Sequence, residues 1–134
     1  MSPPRFETRG PILLLTRDRA IADRVRALLD AERFEVLVTR SAKDALDVAA
    51  RAAPTVILLD FALDDDPAPE ELAYRLRPRR AGPRVIAIAS AREAPPAEVS
   101  ALRASVDRCL DAEELVDLVW RFHHEVLDAR GKRS

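Results

Sequence analysis

Three runs of consecutive aliphatic residues, Ile12-Leu13-Leu14-Leu15, Val56-Ile57-Leu58-Leu59 and Val85-Ile86-Ala87-Ile88-Ala89, restrict this chain more than anything else in it. Each is too short for a buried helix and too uniformly apolar for a strand with one face in water, so each reads as a strand covered on both sides. Strands of that kind belong to parallel sheets with helices packed over both faces. The second run ends on a carboxylate, Asp60, which must surface where its strand stops. In an open parallel sheet that edge is where ligands and chemistry sit.

The segments between the runs are helical. Behind Asp18, a candidate N-cap, Ile21, Val25, Leu28 and Leu29 recur at helical spacing while Arg24, Arg26 and Asp30 face outward. Phe34-Glu35-Val36-Leu37-Val38 is shorter and more alternating, as expected of a strand at a sheet edge. Ser41 with Asp44 resembles a capping box, and the small residues Ala42, Ala45 and Ala49 with Leu46 predict a helix close against the sheet, stopping at Pro54. After Asp60 the acidic, proline-bearing stretch 61–69 leads to a short helix carrying Leu72, Ala73 and Leu76. Pro95 and Pro96 open another helix with Val99 and Leu102, and residues 105–110 form the weakest strand. A final helix over roughly 111–129 places Leu115, Leu118, Val119, Phe122 and Val126 on one stripe. The β-α unit therefore recurs five times, which predicts a three-layer α/β/α sandwich in one domain over residues 11–130, after a loose leader, 1–10, and before a short tail, 131–134.

Composition excludes several classes. Only 4% of residues are aromatic, so the core must be aliphatic. The 22 basic and 23 acidic residues are interspersed to a net charge of −1, which leaves no field to draw the chain to nucleic acid or anionic lipid. Cys109 is the only cysteine and can form neither an internal disulfide nor a thiolate zinc site. No apolar run approaches the roughly 18 residues of a membrane span, and the expectation is a cytoplasmic protein.

Five β-α units in this length, with an Asp ending the third strand and Ser90-Ala91 ending the fourth, resemble the receiver domain of two-component response regulators, over about residues 11–129. The resemblance implies a flavodoxin-like (CheY-like) fold with a five-stranded parallel sheet in the order 2-1-3-4-5. It puts Asp60 at the phosphoacceptor position and Ser90 where a hydroxyl contacts the phosphoryl group, with Ala62 and Ala91 lining the same rim. It also implies an acidic pair after the first strand to hold Mg²⁺, but those positions read Thr16 and Arg17, with Asp18 left as a helix cap. The lysine expected after the fifth strand falls on Ala112, and the aromatic or histidine switch position falls on Cys109.

These departures point to a degenerate receiver without a Mg²⁺ site and without another cofactor. Phosphoryl transfer to a carboxylate brings two anions together, and the metal and lysine that would neutralise them are missing. Arg17 either extends into water or, if it reaches inward, places a permanent cation beside Asp60. The expectation is thus a non-enzymatic module that signals by protein–protein contact, with a histidine kinase as a possible donor should Asp60 be a working phosphoacceptor. The resemblance locates the contact face on the fourth helix, fifth strand and last helix. Val116, Trp120 and Leu127 widen the last helix's apolar stripe there, as a partner or homodimer surface or, for Trp120, as the edge of the core. A nucleotide- or flavin-binding enzyme is disfavoured, because Gly10, Gly82 and Gly131 do not follow strands. Asp64-Asp65-Asp66 and the arginines at 75, 77, 79, 80 and 84 read as solvated surface. His123 and His124, adjacent on a helix, cannot clasp one ion.

Overall fold

Alternation within the aliphatic runs decides which helix each strand residue meets. In the computed structural model, which describes residues 9–60, 65–66, 68–76, 83–88, 106–107 and 112–131, odd and even positions of the central strands feed two separate cores. The elements are β1 (Arg9–Leu15), α1 (Arg19–Asp30), β2 (Phe34–Thr39), α2 (Ala42–Ala52), β3 (Val56–Asp60), α3 (Pro69–Leu76), β4 (Arg84–Ile88), β5 (Val106–Asp107) and α4 (Ala112–Gly131). All described pairings are parallel, in the order β2-β1-β3-β4-β5. The predicted helix over Pro95 to Leu102 lies outside the described residues.

Leu13, Leu15, Ile57, Leu59 and Val85 pack with Ala42 and Ala45 of α2 and with Leu72, Ala73 and Leu76 of α3. Ile12, Leu14, Val56, Leu58, Ile86 and Ile88 pack on the other face, with Val25 and Leu29 of α1 and Leu115, Leu118, Val119 and Phe122 of α4. Burying each such side chain stabilises the fold by about 1.5–3 kcal/mol relative to leaving it in water. The last helix carries the expected stripe, since Leu115, Leu118, Val119, Phe122 and Val126 are all buried.

Local signals set the helix ends. Asp18 caps α1, its side chain accepting from the N–H groups of Ala20 at 2.9 Å and Ile21 at 3.2 Å. Ser41 caps α2, accepting from Asp44 N–H at 3.1 Å. At the other end of α2, Ala53 is held in the left-handed region at φ 50° and ψ 57°, where a Cβ is costly. Replacing Ala53 with Gly is expected to raise stability by roughly 0.5–1 kcal/mol, read as a shifted urea midpoint at unchanged slope. An unchanged or lowered midpoint would mean that Arg130, which donates to the carbonyls of Ala53 and Pro54, fixes this turn whatever residue fills it.

Candidate functional site

Register places the site. Leu15 of β1 lies beside Leu59 of β3, so the next residues, Thr16 and Asp60, are neighbours at the carboxyl edge of the sheet. The backbone of Thr16 still pairs with β2, donating its N–H to the carbonyl of Thr39 at 3.1 Å. Its side chain therefore keeps the inward alternation of the strand, and Thr16 is 2% exposed and Asp60 5%.

The Thr16 hydroxyl donates to Asp60 Oδ2 at 2.7 Å. It also accepts from the Asp18 N–H at 3.0 Å. A threonine hydroxyl has one proton, and here the carboxylate takes it. At this length the bond falls among charge-assisted ones. The hydroxyl is thus held from both sides, by the turn that begins α1 and by the end of β3.

Of the two courses the sequence left open for Arg17, inward to Asp60 or outward into water, its contacts with Arg40 and Asp65 follow neither, and the side chain runs along the rim. Its Nε donates to the Arg40 carbonyl at 2.9 Å and its terminal nitrogen lies 3.4 Å from Asp65 Oδ2. Side chains alternate at the end of a strand, so with Thr16 turned inward the next side chain leaves along the rim. Asp65 is the residue that sequence reasoning undervalued. It was expected to face solvent, yet its Oδ2 accepts from the Ala42 N–H at the start of α2 at 2.7 Å, and its Oδ1 from the Asp66 N–H at 2.8 Å. These two backbone donors lower the pKa of its carboxyl, against an opposing effect of burial and with a lesser contribution from the Arg17 charge. The group favours its charged form above its ordinary value, and this contribution is lost as the pH falls through the lowered one.

Of the other site positions, Ala62, Ser90, Ala91 and Cys109 lie outside the described residues, and Ala112 is the first residue of α4. On α4, Val116 and Trp120 are half-buried and Leu127 is 44% exposed. Trp120 closes the edge of the core. Its ring meets Phe34 edge-on at 5.2 Å, and its Nε1 donates to Glu32 Oε1 at 3.0 Å. His123 is buried, with Nδ1 2.9 Å from Thr55 Oγ1 and its ring edge-on to Phe34 at 5.1 Å, whereas His124 is exposed and stacks on Trp120. The signal for His123 was present, because it stands four residues after Val119 and three before Val126, on the buried stripe. Of the five arginines read as solvated surface, Arg75 and Arg84 are among the described residues, and both are engaged. Arg75 pairs with Glu71, and Arg84 bonds Glu125 at 2.7 Å with its guanidinium over the Phe122 ring.

Among the described residues, no group of three or more His, Cys, Asp and Glu side chains is placed to hold a metal ion, and no helix is long and apolar enough to cross a membrane. No protein-family model matches the chain, and no curated protein matches it either. Solved structures do. A response regulator receiver domain protein (CheY-like) from Methanospirillum hungatei superposes with a TM-score of 0.74 at 22% identity, over 90% of this chain and 98% of that one. The signal receiver domain of a putative Luxo repressor protein from Vibrio parahaemolyticus gives 0.77 at 16% identity, over 94% and 98%. The signal receiver domain of an HD domain-containing protein from Pseudomonas fluorescens gives 0.75 at 19% identity, over 92% and 93%. With the parallel order β2-β1-β3-β4-β5 and Asp60 at the carboxyl end of β3, the chain has the fold of a CheY-like response regulator receiver domain.

Proposed function

We propose that this chain is a receiver-type signal-transduction module that works by binding protein partners and does not use Mg²⁺-dependent phosphorylation of Asp60. The observation that carries the reading is the Thr16 hydroxyl seated on Asp60 at 2.7 Å, at the first of the two positions where receivers place acids. Mg²⁺ binds hard oxygen ligands in near-octahedral geometry and gives up water reluctantly. One carboxylate already accepting a hydrogen bond, beside a neutral hydroxyl, is a poor set for it, and the second acid position is an arginine committed elsewhere. Without the ion, a phosphoryl group approaching Asp60 meets uncompensated negative charge. The contact face proposed for partners, including a second copy of the chain, includes the flank of α4 that carries the half-buried Val116 and the exposed Leu127.

The test is titration with Mg²⁺, then beryllofluoride, followed by amide chemical shifts of Thr16, Asp18 and Asp60. The expected outcome is no saturable shift at millimolar Mg²⁺; saturable binding there, with shifts centred on Asp60, would overturn the reading. A second reading, a working phosphoacceptor served by a histidine kinase, is favoured by the place of Asp60 at the carboxyl end of β3. Intact-mass measurement after incubation with acetyl phosphate separates the two: a stoichiometric phosphoryl adduct lost in Asp60→Asn supports the second, and its absence the first.

A further inference from the structure

One carboxylate ties three loops together at the carboxyl edge of the sheet. Asp65, after β3, takes the N–H of Ala42 at the start of α2 and stands against the guanidinium of Arg17, which follows β1. The same guanidinium group, through Nε, holds the carbonyl of Arg40 between β2 and α2. The first N–H groups of a helix have no partner within it. In α2 the nearby Ser41 satisfies the Asp44 N–H, but the Ala42 N–H is satisfied by a side chain 23 residues away. A long-range bond of that kind fixes where a helix end sits as well as completing it.

We propose that Asp65 is a positioning residue, the centre of a clasp that seats the amino end of α2 and holds the Arg17 cation along the rim, away from the Thr16–Asp60 pair. The clasp sets the electrostatic state of the rim. With it closed, Asp60 is served by a neutral hydroxyl; with it open, the cation one residue from Thr16 is released toward the carboxylate. Arg17 is 45% exposed at its side chain and the Asp65 carboxyl 20%, so a partner docking on this rim can compete for the pair, and added salt weakens it. This deepens the proposed function in one respect, by taking the Asp60 rim as the working surface. Its test needs no metal or phosphodonor, so its failure is separable from a failure of the Mg²⁺ titration.

The experiment compares the wild-type chain with Asp65→Asn, Arg17→Gln and the double variant by NMR at neutral pH and low salt. The readouts are hydrogen exchange at the Ala42 amide and the carboxyl carbon shift of Asp60. In Asp65→Asn the amide oxygen can still accept from Ala42 but without the charge, so the Ala42 amide should exchange faster by roughly fivefold. The Asp60 carboxyl resonance should move in Asp65→Asn and return toward its wild-type position in the double variant, which has no cation to release. Faster Ala42 exchange with an unmoved Asp60 resonance would reduce Asp65 to a helix cap and overturn the positioning role. Unchanged exchange would remove the clasp altogether.

Discussion

Replacing Phe34 with Ala should cost about 3–5 kcal/mol, the range for emptying an aromatic site in a packed core. Phe34 is 1% exposed at the start of β2, and its ring is the common contact of Trp120 at 5.2 Å and His123 at 5.1 Å. Both approach edge-on, at 64° and 89°, an arrangement that adds about 0.5–1.5 kcal/mol per aromatic pair beyond the area buried. Removing the ring therefore loosens α4 as well as leaving a cavity, and a domain of this size has only about 5–15 kcal/mol in total. Urea unfolding followed by the fluorescence of Trp120, the single tryptophan, measures the loss. Phe34→Leu, which keeps most of the volume, separates the two causes: a cost close to that of the alanine variant assigns the effect to ring contacts, and a cost under about 1.5 kcal/mol assigns it to packing. A loss below about 1 kcal/mol in Phe34→Ala would contradict this account of how α4 is docked.

The second large effect is expected at the site. Thr16→Asp places an acid beside Asp60 and should cost about 3–5 kcal/mol at neutral pH, because the new carboxylate is buried against another. A like-charged neighbour raises the pKa of the introduced carboxyl above its unfolded value. The sign of the pH dependence follows: the variant is least penalised below the ordinary carboxylate range and loses stability as the pH rises through the raised value. Millimolar Mg²⁺ should return part of the loss, since a bound cation supplies compensating charge. Thr16→Val is the control. It removes the donor without adding charge and should cost about 1–3 kcal/mol, with no response to Mg²⁺. Denaturant midpoints across pH 4–7, with and without the ion, decide it as an order-of-magnitude test. A neutral Thr16→Asp variant would mean that water reaches Asp60 freely.

The sheet and its faces were legible because uninterrupted aliphatic runs have few alternatives, and Ile12 to Leu15 with Val56 to Leu59 became neighbouring interior strands. Thr16 and Asp60 were brought to one edge by the resemblance to receivers, and the register of β1 on β3 makes them neighbours. The places of Arg17 and Asp65 were not legible. The direction of an arginine leaving a strand depends on which acceptors other loops bring near it, and the Asp65 partner at Ala42 comes from a segment whose position only the assembled fold defines. His123 was weighed only as a metal ligand, and the spacing that places it on the apolar stripe went unused.

The bond between Trp120 and Glu32 joins residues 88 apart in sequence, and that between His123 and Thr55 joins residues 68 apart. During synthesis the first three strands and two helices leave the ribosome with one face of their sheet covered by α1 alone, because α4 follows later in the chain. Contacts that span so much chain form late and slow the search for the native state. The half-built sheet is therefore the species most exposed to self-association, and the interval before α4 arrives is when a nascent chain of this kind has most need of a chaperone.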